Sequence, residues 1–127
     1  MSPRKIAVLG SNSFSGSDFV DLLLGDDQNE VLGISRSPEK GPLFLPYLRH
    51  ASPRFQFHQL DFNRDMAKIL QVLDEFSPAY IVNFAAQSEV APSWVNPDHW
   101  FQTNTVALAQ LINHLKDQKY LARYVHI

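Results

Sequence analysis

The chain has no cysteine among its 127 residues. Disulfides, thiolate zinc sites and a cysteine nucleophile are therefore excluded, while the compartment stays open. It also lacks any cluster of lysine or arginine, and its net charge is −2, which argues against nucleic acid as a partner. No apolar run approaches a membrane span, so no membrane partner is expected. The basic start, Met1 to Lys5, leads into an apolar run too short and too quickly broken for a signal peptide, and the cytoplasm is the expected location. The histidines His50, His58, His99, His114 and His126 show no metal-ligand spacing, so no metal site is expected. A G-x-S-x-G nucleophile elbow is absent. So are the clustered acids at the end of a first strand that a receiver-type domain needs. What is present is an ordinary globular composition, 45% hydrophobic and 19% charged, in one domain that is short for an enzyme with a separate substrate domain.

The organising stretch is Ile6 to Gly16. Ile6, Ala7, Val8 and Leu9 are apolar at every position, the pattern of a strand buried on both faces of a parallel sheet. Gly10, Ser11, Asn12, Ser13, Phe14, Ser15 and Gly16 then form a small-residue turn, and Gly16 to Leu24 has helical spacing. A strand feeding a helix through such a turn aims backbone N–H groups and the positive end of the helix dipole at one spot, which suits a diphosphate. The plainer alternative is a strand-to-helix turn with no ligand.

The glycines fit G-x-x-[G]-x-x-G with Ser13 in the middle place. Here the chain resembles the extended short-chain dehydrogenase/reductases, the nucleotide-sugar epimerases and dehydratases. In that family the turn carries the pyrophosphate of NAD or NADP. Ser13 departs from the pattern: its Cβ would crowd the phosphates, or its hydroxyl would donate to them.

Val31 to Ile34 reads as a second buried strand, ending in Ser35-Arg36-Ser37. An acid there would accept from the ribose 2′-hydroxyl of NAD, whereas an arginine with small hydroxyl neighbours receives the 2′-phosphate of NADP. The expectation is NADP, with NAD as the alternative and a solvated surface arginine as the plain reading of Arg36. Pro38 to Pro53 is irregular, broken by prolines and Gly41, with apolar Leu43-Phe44-Leu45 and Tyr47-Leu48 expected to pack back on the body. Arg54 to Leu60 alternates with period two, as an edge strand does.

That strand ends in Asp61-Phe62-Asn63. The resemblance implies that Asp61 and Phe62 hold the adenine; a capping aspartate is the alternative. Asn63 is placed to N-cap a helix from Arg64 to Phe76, stopped by Ser77-Pro78. Ala79 to Phe84 is the fourth strand. The run Asn83-Phe84-Ala85-Ala86-Gln87-Ser88 resembles the Asn-Leu-Ala-Ala-Gln-Ser segment of nucleotide-sugar 4,6-dehydratases, particularly the GDP-mannose branch. The resemblance implies that Phe84, Ala85, Ala86 and Gln87 lie along the nicotinamide ribose, and that Ser88 and Glu89 line the sugar pocket. The family usually has histidine where this chain has Glu89.

Ser93-Trp94-Val95-Asn96-Pro97 resembles the family's Ser-Trp-x-x-Pro and starts a helix running to about Lys116. Thr103-Asn104 matches a family pair in which the asparagine supports the catalytic groups; a bond from Asn104 to nearby backbone is the alternative. Subunits of the family pair through this helix and the one after the next strand, so a homodimer or a self-associating chain is expected; Trp100 is either an exposed apolar position of that bundle or ordinary core.

Arg123 to Ile127 opens a fifth strand. Neither the Ser/Thr that follows it in the family nor the Tyr-x-x-x-Lys that carries the base is present. The expectation is an inactive N-terminal portion, residues 1–127, of a longer lyase or isomerase of carbohydrate metabolism whose substrate domain lies outside this chain. With one face of its last strand uncovered, such a portion is expected to self-associate. The expected fold is α/β, a Rossmann-type doubly wound parallel sheet in the order 3-2-1-4-5, truncated before a sixth strand. The expected function is the NAD(P)-binding part of a dehydratase or epimerase that moves a hydride at C4 of a nucleotide-linked hexose. The alternative is a non-catalytic dinucleotide-binding or sensor module.

Overall fold

The computed structural model describes residues 2–88 and 90–127. Strand β1 (Arg4–Leu9) turns into helix α1 (Phe14–Leu24), followed by β2 (Asn29–Ser35), a 3-10 turn (Pro46–His50), β3 (Phe55–Gln59), α2 (Met66–Phe76) and β4 (Tyr80–Asn83). Then come the short helices α3 (Val90–Ser93) and α4 (Pro97–Phe101), a π-helical segment (Gln102–Ala107), α5 (Leu108–Leu115) and β5 (Arg123–His126).

The strands form one parallel sheet in the order β3-β2-β1-β4-β5, as the strand–helix alternation implies. Leu9 lies opposite both Ile34 of β2 and Asn83 of β4, so the three central strands end level. Their following loops open onto one edge of the sheet.

Burial on both faces explains the unbroken apolar runs. Ile6 and Val8 of β1 point to one side, packing with Val20 and Leu24 of α1 and with Leu45 and Tyr47. Ala7 and Leu9 point to the other side, where Ile69, Leu73 and Phe76 of α2 meet Leu111 and Leu115 of α5. Each leucine- or isoleucine-sized side chain buried this way contributes about 1.5–3 kcal/mol. The face under α2 and α5 holds the larger cluster.

Local boundaries differ from the sequence reading in four places. Helix α1 starts at Phe14 because Ser13, not a later residue, is its N-cap. Helix α2 starts at Met66, and Asn63 is not its cap: Asp65 holds that position, and the amide of Asp61 donates to the Asp65 carboxylate at 2.8 Å. Leu43 and Phe44 are exposed, and only Leu45 and Tyr47 of that stretch are buried. The long last helix is interrupted by the π segment. Its wider turn shifts the phase of the apolar face, so Ala107, Leu111 and Leu115 are buried while Val106 faces outward. No helix among the described residues is long and apolar enough to cross a membrane.

Candidate functional site

A cleft of about 380 Å³ lies at the edge where β1, β2, β3 and β4 end. The chain places β2 and β3 on one side of β1 and β4 on the other, so the loops after β1 and β4 diverge there, the place where open α/β sheets receive ligands. Four loops line it: Gly10, Asn12 and Ser13 after β1; Ser35, Arg36 and Ser37 after β2; Asp61 and Phe62 after β3; Phe84, Ala85, Ala86 and Gln87 after β4. Twelve residues singled out from four separate stretches of sequence thus converge on one cavity. Ser88 lines an adjoining cavity of about 250 Å³, which Arg36, Ala86 and Gln87 share. Glu89 lies outside the described residues.

Gly10 sits at φ +78°, and a Cβ there would come within 2.8 Å of the Ala85 amide nitrogen. The glycine therefore lets the loop after β4 pass directly against the turn after β1. Ser13 neither crowds the cleft with its hydroxyl nor offers it as a donor. Its Oγ donates to the Gly10 carbonyl at 2.7 Å and accepts from the Gly16 amide at 3.0 Å. The amides of Phe14 and Ser15, the first two of α1, have no acceptor within the helix. Phe14, Ser15 and Gly16 stand beside the cleft rather than lining it, and Ser11 is fully buried, its Oγ 3.5 Å from that of Ser35.

The walls are held by buried polar contacts. Ser35 Oγ accepts from the Asn12 amide at 2.9 Å. Asn83, only 1% exposed, accepts from the Ala85 amide at 2.8 Å and donates to the Tyr124 hydroxyl at 2.9 Å. Burial raises the Tyr124 phenol above its ordinary range, and the Asn83 bond offsets this only in part. Asn104, in the π segment, grips the backbone of Gln87 twice: Oδ1 accepts from its amide and Nδ2 donates to its carbonyl, both at 2.9 Å. Asn104 itself does not line the main cleft; it sets the path of the loop that does. Phe62 and Phe84 serve the core as well as the cleft, Phe62 beneath α2 and Phe84 against Phe19 at 5.7 Å between ring centres.

Five lining residues were not singled out for the site from sequence: Ile34 and Leu60 at the strand ends, and Lys40, Asn63 and Thr103. Asn63 Nδ2 donates to Thr103 Oγ1 at 2.9 Å, joining the loop after β3 to the π segment. Thr103 carried a signal, since it stands beside Asn104 in a matched pair. Lys40 carried none, lying in the irregular stretch. Among the described residues no group of three or more side chains comes together that could hold a metal.

The family model described as GDP-mannose 4,6 dehydratase matches residues 8–127. Among curated proteins, the chain is similar to a dTDP-glucose 4,6-dehydratase of Neisseria meningitidis serogroup B. The two are 28% identical over 109 residues, which is 86% of this chain and 30% of that protein. A dTDP-glucose 4,6-dehydratase of Salmonella typhimurium matches at 28% over 108 residues, 85% of this chain and 30% of that one. Among solved structures, the UDP-glucuronic acid 4-epimerase of Bacillus cereus, in complex with UDP-glucuronic acid and NAD, superposes with a TM-score of 0.74 at 28% identity. That match covers 96% of this chain and 39% of the other. The UDP-Glc/GlcNAc 4-epimerase of Campylobacter jejuni superposes with a TM-score of 0.80 over 97% of this chain and 36% of that one; at 24% identity it speaks for the fold. The chain spans about 30% of the length of the curated relatives it matches.

Proposed function

The chain belongs to the GDP-mannose 4,6 dehydratase family, and on that premise we propose that it is the dinucleotide-binding part of a nucleotide-sugar dehydratase or epimerase. The observation that carries the reading is the convergence of four strand-end loops on one cleft of about 380 Å³. The donor set fits a nicotinamide dinucleotide. The amides of Phe14 and Ser15 at the start of α1 suit the pyrophosphate. Asp61 and Phe62 suit the adenine, and Ala85, Ala86 and Gln87 the nicotinamide ribose. Arg36 and Ser37, with no acid beside them, favour NADP over NAD; the NAD bound in the Bacillus cereus epimerase keeps NAD as the alternative.

When bound, the nicotinamide supplies a hydride acceptor and donor for C4 of a nucleotide-linked hexose. Returning the hydride to C6 after loss of water makes a dehydratase; returning it to C4 on the other face makes an epimerase. Ser88 and Glu89 are assigned to the sugar side. Asn104 holds Gln87 so that the loop after β4 keeps its distance from both ligands. The Tyr-x-x-x-Lys base is not among these 127 residues, so turnover is assigned to a longer protein that carries it. Two copies are assigned to pair through the turn between α3 and α4 and through α4 at the start of the long helical stretch, where Trp94, Val95 and Phe101 are exposed.

Titration of the protein with NADPH and NADH tests the reading. Wild type is expected to prefer NADPH. Arg36→Ala should weaken NADPH about tenfold, the scale of one lost charge-assisted contact, and leave NADH nearly unchanged. Equal loss of both would sink the NADP assignment, and failure to bind either would sink the dinucleotide reading.

A further inference from the structure

The loop after β2 brings a second cation to the cleft. Arg36 and Lys40 both line it, both are exposed, and neither is joined in an ion pair among the described residues. Asp61 is the one acid among the described lining residues, across the cleft on the loop after β3, and the Glu39 carboxylate is taken by the Tyr47 hydroxyl, so two cations free of an ion pair on the β2 side present an anion site.

Contacts within the protein fasten this loop from beneath. Asn12 Nδ2 donates to the carbonyls of Ser37 and Pro38, both at 3.0 Å. The Tyr47 hydroxyl donates to Glu39 Oε2 at 2.7 Å and lies 3.2 Å from Asn12 Oδ1. Tyr47 is 1% exposed, and burial, then Glu39, holds its proton on far above the ordinary tyrosine range. Its O–H is thus a donor throughout the working pH range. Positions 37, 38 and 39 are each tied down, and Lys40 is the next residue along. Beyond it Gly41 stands in open space, and the Lys40 ammonium is 6.0 Å from the centre of the Phe44 ring.

We propose that Lys40 is a second phosphate-recognition residue for the 2′-phosphate, and that Tyr47 is the positioning residue that aims it through Glu39. The inference rests on the NADP reading above. A planar guanidinium and a compact ammonium complement one dianionic phosphate from two sides. Tyr47, one of the largest buried side chains, anchors the loop to the core beneath α1, so the aim of Lys40 is set by packing and not by the ligand.

The test compares wild type, Lys40→Ala and Tyr47→Phe for binding of NADPH, NADH, 2′-AMP and 5′-AMP, with thermal melting as a control. Lys40→Ala should weaken NADPH and 2′-AMP about tenfold and leave NADH and 5′-AMP within a factor of about two. Tyr47→Phe keeps the ring and should weaken the 2′-phosphate ligands alone by about threefold. A purely structural tyrosine would weaken all four ligands together, and that result overturns the positioning role. If Arg36→Ala removes the preference while Lys40→Ala and Tyr47→Phe keep the wild-type ratio, this inference falls and the NADP reading stands. If wild type itself binds NADH as tightly as NADPH, both fall.

Discussion

A methyl group at Gly16 would strike the carbonyl oxygen of Gly10 and come within 2.6 Å of the Ser13 hydroxyl. That carbonyl cannot yield, because it already accepts from the Ser13 amide at 3.0 Å and from Ser13 Oγ at 2.7 Å. Gly16→Ala is therefore expected to cost about 3 kcal/mol, at the upper end for overpacking. Gly41→Ala, with nothing within 4 Å, should be close to neutral. Urea unfolding of the two variants decides it, and a Gly16→Ala midpoint equal to wild type would refute the clash. At this scale the glycines were legible in the sequence because few residue types satisfy such geometry. Ser13 was not: crowding, donating and capping are all open to a serine, and only the placement of Gly10 and Gly16 around it selects capping. Lys40 was hidden for a related reason. Its place depends on Tyr47 and Asn12, and no local pattern links residues so far apart.

Helices α2 and α5 are joined at their outer ends by a polar cluster as well as by the core. Asp74 receives the His114 ring Nε2 at 2.9 Å and the Tyr120 hydroxyl at 2.7 Å. Burial alone would raise the Asp74 pKa; the hydrogen bonds from His114 and Tyr120, with the charge of His114, outweigh it and bring it below 3.8. A depressed carboxylate contributes stability above its unfolded value and loses it as pH falls through the folded value. Since Asp74 is partly exposed, the contribution is about 0.5–1 kcal/mol. Asp74→Asn should thus be less stable than wild type by about that amount near pH 6, with the gap closing as pH drops below 3.8. Denaturant unfolding across that range measures it, and a pH-independent gap would remove the charge from the account. The two helices themselves were legible from their spacing. The π segment was not, since an extra residue in one turn leaves the amino-acid pattern helical and betrays itself only in which side chains end up outside. Asn63 was misread as a cap because an asparagine before a helix satisfies the local rule. Here Asp65 takes the cap position with its carboxylate turned back to the Asp61 amide, and Thr103 accepts from the Asn63 side-chain amide.

Strand order was legible for the whole molecule because alternating strands and helices with same-handed crossovers leave few sheets to choose from. Two exposed surfaces compete as the place where copies would pair. Strand β5 is a sheet edge with Val125 and Ile127 exposed, and an open edge can recruit another strand. The α3–α4 segment exposes Trp94 at 84%, Val95 at 77% and Phe101 at 67%. The balance favours the helical surface: it offers two aromatic rings, whose burial carries more free energy than the short four-residue edge of β5. Phe101 faces outward at the end of α4, directly before the π segment that aims Asn104 at Gln87, so the surface and the cleft wall meet at one point of the chain. Sedimentation of wild type at rising concentration should show dimers. Phe101→Asp should remove them while leaving NADPH binding intact, since Phe101 is not in the cleft. Val125→Lys should leave the dimer unchanged. The opposite pattern would move the pairing to the strand edge, and a monomer at every concentration would end the pairing assignment.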